Sequence, residues 1–396
     1  HGFLRGYELN SGLCLIGINY RKENRVTTSI WKIAALSAAF ISAGAGAAEV
    51  YHTDSASLSV YGRVKAEALN GYGYQKFSAK TGREDHPGLS LTARLGLSGE
   101  SKANDFFSAF GNFLYDLNAE DGIDAKDRMK IRFGYMGARF GRYGALTAGH
   151  QYPAAYNALA HIDVFEHFGI SGNGSSLDRH GVGAAIRQDG IIKFQADNID
   201  GFSYAVSYRF RDRGDNSKDG ISASFGYETE SGIGLTAGYQ FNRAVDDSPV
   251  YTTDSSGRTR VAGSGDRTEA ILGAYYGTYD KPGFYAAASY DHTKLNSPKG
   301  LSDRASAGGF RGDGFDAYAG YTTPSGTFTF GADWGYFKNQ LAESGSGRAV
   351  NQLAGIVRWH ITKQAYGILQ YVDNFGDGSH RKAHQDWLSV AAVYSF

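Results

Sequence analysis

The chain has 396 residues, with 54 Gly, only 6 Pro, 27 Tyr, 24 Phe and 4 Trp. Lys and Arg number 40, as do Asp and Glu, and no basic run or basic helix is present, so nothing points to a nucleic-acid partner. No stretch of about 18 apolar residues occurs, which excludes membrane-spanning helices but not a membrane β-barrel, whose lipid-facing and lumen-facing residues alternate and average out.

The first recognisable element is a targeting segment. Lys32 precedes a short apolar core that runs to Ile41, and Ala45-Gly46-Ala47 supplies a small-x-small cleavage pattern before Ala48-Glu49-Val50. We expect a signal peptide over 26–47, read from a non-Met start at Val26, with 1–25 as upstream material absent from the mature protein. No Met precedes Met129, and the chain's single cysteine, Cys14, falls in the upstream segment. Cleavage after Ala47 removes five basic residues (Arg5, Arg21, Lys22, Arg25, Lys32) and two acids (Glu8, Glu23). The remaining 349 residues carry 35 Lys/Arg against 38 Asp/Glu. A mature chain without cysteine has no disulfide, thiolate metal site or thiol chemistry.

From 48 onward, apolar and polar residues alternate, as in strands. In 328–336, Phe328, Phe330, Ala332, Trp334 and Tyr336 alternate with Thr, Gly and Asp. Sixteen such segments are expected, near 57–68, 90–100, 104–116, 128–139, 143–150, 179–187, 201–211, 219–228, 232–243, 268–279, 283–294, 314–322, 327–338, 349–361, 364–373 and 386–396. Long polar connections such as 69–89, 151–178, 244–267, 295–313 and 374–385 trade places with short ones such as 228–232, 280–282 and 323–326. The stretch 188–200 stands out as a longer exception. The layout predicts an all-β fold, a 16-stranded antiparallel transmembrane β-barrel occupying 48–396, and the aromatic-rich third long connection is expected to be an inward-folded third loop. Leu388, Val390, Ala392, Tyr394 and Phe396 share the outward face of the last segment, and Trp387 falls on the opposite parity. The terminal apolar set, with Tyr394 and Phe396, resembles the signal read by the barrel-assembly machinery.

Alternation assigns the faces of each segment. Ser59, Tyr61, Arg63 and Lys65 share the inward face of the first; Thr92, Arg94 and Gly96 that of the second; Lys130 and Arg132 that of the fourth, with Ile131, Phe133 and Tyr135 outward. Arg179 and Arg187 point inward from 179–187. Arginine is costly on the lipid face of a barrel, which supports these assignments. The connection 151–178 carries acids and many aromatics, too apolar for a solvated loop. Folded into the lumen, it sets its acids across from the arginines. Apolar outward residues of the first segments (Phe107, Ala109, Phe113, Ile131, Phe133) suit contact between barrels.

Other chemistries find less support. His380 and His384 have helical metal-ligand spacing but fall in a predicted loop without a third ligand nearby. His161 and His167 neighbour Asp163 and Glu166, yet no Ser with a positioning partner accompanies them. No phosphate-binding glycine loop is present. Neither a cofactor nor a metal is expected, and the chain is not expected to be an enzyme. A sugar-specific channel would have 18 strands and an aromatic track, whereas the inward aromatics Tyr61, Tyr275, Tyr285 and Tyr318 read as scattered.

The segments Ala48-Glu49-Val50-Tyr51, Val60-Tyr61-Gly62-Arg63, Ala93-Arg94-Leu95-Gly96, Tyr156-Asn157-Ala158-Leu159 and Tyr394-Ser395-Phe396 resemble those of the enterobacterial-type general diffusion porins. The likeness runs along 48–396 and is strongest over 48–190. It implies a homotrimer in the outer membrane of a Gram-negative bacterium, bathed by lipid and lipopolysaccharide. Periplasmic chaperones and the barrel-assembly machinery would deliver it, and ions and small hydrophilic solutes would diffuse through it. By position, Arg94, Arg132 and Arg179 match the family's wall arginines, Arg63 stands where a lysine is usual, and Asp163 matches the first loop acid. The second acid is replaced by His167, with Glu166 just before it. Asp121 aligns with a loop tip that latches a neighbouring subunit.

Overall fold

The computed structural model describes residues 48–70, 76–78, 82–84, 88–118, 129–166, 172–173, 183–210, 219–245, 251–253, 259–261, 265–295, 310–341, 349–375 and 386–396. Seventeen strands form one antiparallel sheet: β1 Ala48–His52, β2 Ala56–Asn70, β3 Gly88–Lys102, β4 Phe107–Asn118, β5 Met129–Phe140, β6 Ala145–Gln151, β7 Gln188–Ile199, β8 Phe202–Arg209, β9 Asp219–Glu228, β10 Ile233–Val245, β11 Gly265–Tyr276, β12 Gly283–Leu295, β13 Phe310–Thr322, β14 Phe328–Leu341, β15 Ala349–His360, β16 Ala365–Asn374 and β17 Trp387–Ser395. Each pairs with the next in sequence, and β17 returns to β2.

The seventeen strands make sixteen staves. β1 occupies one end of β2, from Ala48 opposite Val60 to His52 opposite Ser57, and β17 occupies the other, from Ser395 opposite Arg63 to Leu388 opposite Asn70. They meet at Gly62, whose N–H donates to the Phe396 carbonyl at 2.8 Å and whose carbonyl accepts from Phe396 N at 2.9 Å. No open edge is left between them, as hydrocarbon surroundings require of a sheet.

The burial pattern is that of a membrane barrel. Large apolar side chains on the outward parity are exposed, among them Leu91, Leu95, Leu97, Val206, Leu235, Leu272, Phe330 and Leu369. The inward parity carries buried Arg63, Lys65, Glu67, Arg94, Gln240, Glu269, Asp291, Asp316, Asp333 and Gln370. A water-soluble sandwich would reverse that arrangement.

Fifteen of the expected segments coincide with strands. The sixth does not: 183–187 is non-strand, 179–182 lies outside the described residues, and the strand is Gln188–Ile199. The alternation of Val182, Ala184 and Ile186 resembles a strand, but Ala184 and Ala185 are packed inside the barrel, where the Ala184 N–H donates to Glu269. The true strand is harder to see because Ile191 and Ile192 are adjacent and Gly190 has φ +67°. With 188–199 as a strand, the exceptional connection disappears. Residues 200–201 become a tight turn with φ of +55° and +88°, and long and short connections alternate strictly.

Two face assignments also change, those of Phe133 and Tyr135, which turn inward together. β4 and β5 slip register where Leu114 pairs with Phe133 and Tyr115 with Ile131, so Arg132 is the extra residue of a β-bulge. Ile131 is exposed to lipid as expected, but Arg132 and Phe133 are both buried inside, and beyond the bulge Met136 points out and Arg139 in. Phe133 is therefore unavailable for contact between barrels.

Candidate functional site

The connection 152–187 leaves β6 and enters the lumen through the 3-10 turn Ala154–Ala158. Its backbone is held by inward side chains of successive strands. Ala154 N–H donates to Ser207 on β8 (3.0 Å) and Ala155 N–H to Ser222 on β9 (2.7 Å). Thr236 on β10 donates to the Ala158 carbonyl (3.1 Å), and the Tyr285 hydroxyl on β12 to that of His161 (2.5 Å). Gly172 N–H reaches Asp316 on β13 (2.9 Å), and Asn173 donates to Asp291 on β12 (3.1 Å). Inward glycines make the close approach possible. A Cβ at Gly273 would overlap the His161 ring, and one at Gly314 would overlap the Gly172 carbonyl.

Tyr152 and Tyr156 stack at the loop entrance, with centroids 3.8 Å apart, and the Tyr156 hydroxyl donates to Asp163 at 2.7 Å. Arg187, at the end of the loop, donates to the Tyr152 hydroxyl and lies over the rings of Tyr152 and Phe133. The bulge has thus turned Phe133 into part of the loop's seat.

The far wall is basic. Arg63 and Lys65 on β2, Arg94 on β3 and Arg132 on β5 are all buried on the lumen side. Asp116 on β4 lies between the last two, accepting from Arg94 Nε (2.8 Å) and Arg132 Nη1 (3.1 Å). Lys65 meets Glu67 at 2.7 Å. Glu166, from the loop, completes the set. Its two oxygens accept from Arg63 Nη1 and Nη2 at 2.7 and 3.1 Å, and Lys65 Nζ lies 3.9 Å away. Burial disfavours the Glu166 charge, but Arg63, Lys65 and Arg94 outweigh it and hold its carboxyl down to about 2. His161, buried between the loop and the wall at Gly273, is pushed down to about 4 by desolvation against the smaller opposing effect of its bond to the Ala288 carbonyl, so its ring is neutral.

Of the residues singled out from sequence, the structure brings together Arg63, Arg94, Arg132 and Glu166. Tyr156 and Asp163 are joined to each other within the loop. Arg179, His167, Asp121, His380 and His384 lie outside the described residues. Tyr394 is exposed on the outward face and Phe396 closes the seam. Glu166 is in direct contact with Arg63. One expectation needs correction: the inward aromatics are not all scattered, since Tyr285 and Tyr318 have centroids 5.9 Å apart, Tyr279 stands edge-on to both, and Phe165 caps Tyr318. They are buried under the loop rather than spread along a track. Sequence reasoning missed Asp116, the wall acid between two arginines. Its inward parity on β4 was the available signal.

A closed barrel with an apolar exterior, a charged lumen and a loop laid across that lumen is a membrane channel. The chain belongs to the Gram-negative porin family, whose model matches residues 34–377. It is 28% identical to outer membrane porin N of Escherichia coli K12, over 69% of this chain and 72% of that protein. It is 27% identical to outer membrane porin F of the same strain, over 66% and 69%. The fold matches the OmpF structure of Salmonella typhi, solved with daunomycin, with a TM-score of 0.68 and 18% identity, over 88% of this chain and 100% of that one. The protein is an outer-membrane porin, a non-specific water-filled channel for passive diffusion.

Proposed function

We propose that the passage between loop 152–187 and the basic wall is the selectivity constriction. The bidentate bond of Glu166 to Arg63 carries this reading, because it ties a loop on β8–β13 to β2 across the lumen. Arg63, Lys65, Arg94, Arg132 and Arg187 outnumber Glu67, Asp116, Asp163 and Glu166 there. Arginine keeps its charge in proteins. The field favours small polar, zwitterionic and anionic solutes over apolar ones, since narrow charged constrictions select by charge as well as width. Arg179 and His167 belong to the same set by the family resemblance. The channel conducts by diffusion and performs no catalysis. A salt-gradient reversal potential tests the reading: Arg132→Ala moves it towards cations, and an unchanged potential rejects it.

The working unit is a homotrimer. Its contact surface is the outward apolar face of β4 and β5 (Phe107, Ala109, Phe113, Ile131), and Asp121 is the latch. Asp121→Ala lowers the trimer's melting temperature by the loss of about 1 kcal/mol or less per screened pair. The rest of the belt meets lipid and lipopolysaccharide. Residues 26–47 direct export, and Tyr394 and Phe396 direct assembly by chaperones and the barrel-assembly machinery.

A further inference from the structure

The short turns of this barrel lie at the mouth opposite the long loops. The turn between β11 and β12, residues 277–282, sends a side chain into the lumen. Tyr279 is 7% exposed and sits inside the barrel beneath the constriction loop. Its hydroxyl donates to the Val164 carbonyl at 3.3 Å, and its ring stands edge-on to Tyr285 and Tyr318 at 5.7 and 5.8 Å.

The next residue is bound elsewhere. Asp280 adopts φ +62°, a left-handed conformation that Asp tolerates better than most residues. Its carboxylate passes β13 and accepts from Thr329 on β14 (2.7 Å) and Arg358 on β15 (2.8 Å), with His360 Nε2 at 2.9 Å. The Arg358 guanidinium also covers the Tyr279 ring at 5.6 Å. Two consecutive turn residues thus join the wall at β14–β15 to the underside of the loop.

We propose that turn 277–282 is a strut that sets the height of the constriction loop, with Tyr279 as its positioning residue and Asp280 as its anchor. Among the described residues, loop segment 161–166 has no ladder pairing, so side-chain bonds fix its position. Tyr285 holds it at His161, Tyr279 at Val164 and Tyr318 at Phe165, immediately before Glu166. A shift at Val164 is passed along two residues to the carboxylate that meets Arg63. The inference rests on the reading of Glu166 as part of the constriction.

Single-channel recording of the purified porin in planar bilayers tests it. Tyr279→Ala should raise open-channel current noise several-fold and add substates, without moving the reversal potential of the main level. Tyr279→Phe keeps the ring but loses the bond to the Val164 carbonyl, and its noise should fall between that of wild type and that of Tyr279→Ala. Asp280→Ala, which touches no loop atom, should reproduce the noise of Tyr279→Ala, and the double variant should be no noisier than either single one. Wild-type noise in both Tyr279→Ala and Asp280→Ala overturns the strut. So does noise in Tyr279→Ala alone, because the anchor would then be idle. If Tyr279→Ala does not assemble, Asp280→Asn against wild type decides by the same criterion. Glu166→Gln separates the two readings. If it alters conductance while the strut variants stay silent, the strut fails and the constriction stands. If it is silent while both strut variants are noisy, the strut stands and the constriction reading fails.

Discussion

Glu166 on the loop and Arg63 on β2 share two hydrogen bonds, at 2.7 and 3.1 Å, so the loop is bound to the wall opposite the one on which it rests. The pair bridges the lumen and fixes the local charge of the passage. Glu166→Gln should raise single-channel conductance and move the reversal potential towards anions. Losing a charge-assisted pair of this kind costs about 1–3 kcal/mol of loop docking. A potential equal to wild type would count against the bridge.

Arg132 owes its place to the bulge and shares Asp116 with Arg94 at 3.1 and 2.8 Å. Arg132→Ala should widen the passage and move selectivity towards cations. Arg132→Lys should keep the charge but weaken the bond to Asp116, giving a smaller shift. Reversal potentials of both variants in one salt gradient provide the measurement.

Acid should loosen the loop in two stages. His161 is neutral in the folded protein and pushed down to about 4 from 6.5. Its contribution is therefore present above about 6.5 and is lost as pH falls through 4, amounting to about 3 kcal/mol if the whole shift is expressed. Glu166 is held down to about 2 from 4.5, so its contribution is present above about 4.5 and lost as pH falls through 2. Current noise recorded from pH 7 to pH 3 should rise first below about 6. His161→Phe should abolish that first rise. A flat profile in wild type would refute the account.

Gly273 on β11 leaves room for the His161 ring. Gly273→Val should push the loop off the wall while leaving the outward face of β11 unchanged. The trimer should still form and still shift on heating in a gel, and its conductance should change. Normal conductance would mean that the loop does not pack there.

Phe396 seals the seam through its two backbone bonds with Gly62. Its deletion should lower the yield of assembled barrel in the outer membrane and leave synthesis intact. Normal yield of heat-modifiable protein would show that the seam closes without it.

Most of the barrel is readable in the chain because alternation is a local signal. Phe328 to Tyr336 declares its own strand and both of its faces. What remains unreadable depends on pairing. Nothing local marks Arg132 as an extra residue, since the slip exists only against Leu114 and Tyr115. The segment Val182 to Ile186 imitates a strand because its alanines pack against a wall that sequence does not display. Within the site, the arginines could be found by parity and cost. The contact of Glu166 with Arg63 could not, because it depends on how far the loop reaches across the lumen. The burial of Tyr279 likewise depends on a turn that bends inward.

The bulge at Arg132 has a consequence for how densely a barrel wall can be equipped. A regular strand offers the lumen one side chain every two residues, a spacing of about 7 Å. That spacing limits how many groups one strand can bring to a single level of a pore. One extra residue suspends the limit, so β5 delivers a charge and an aromatic ring side by side: Arg132 to the acid on β4, Phe133 to the loop. It also exchanges lipid-facing and water-facing roles for the remainder of the strand, from Met136 to Arg139. In such a wall, inserting or deleting one residue re-equips a pore more drastically than any single substitution, while the number of staves stays the same.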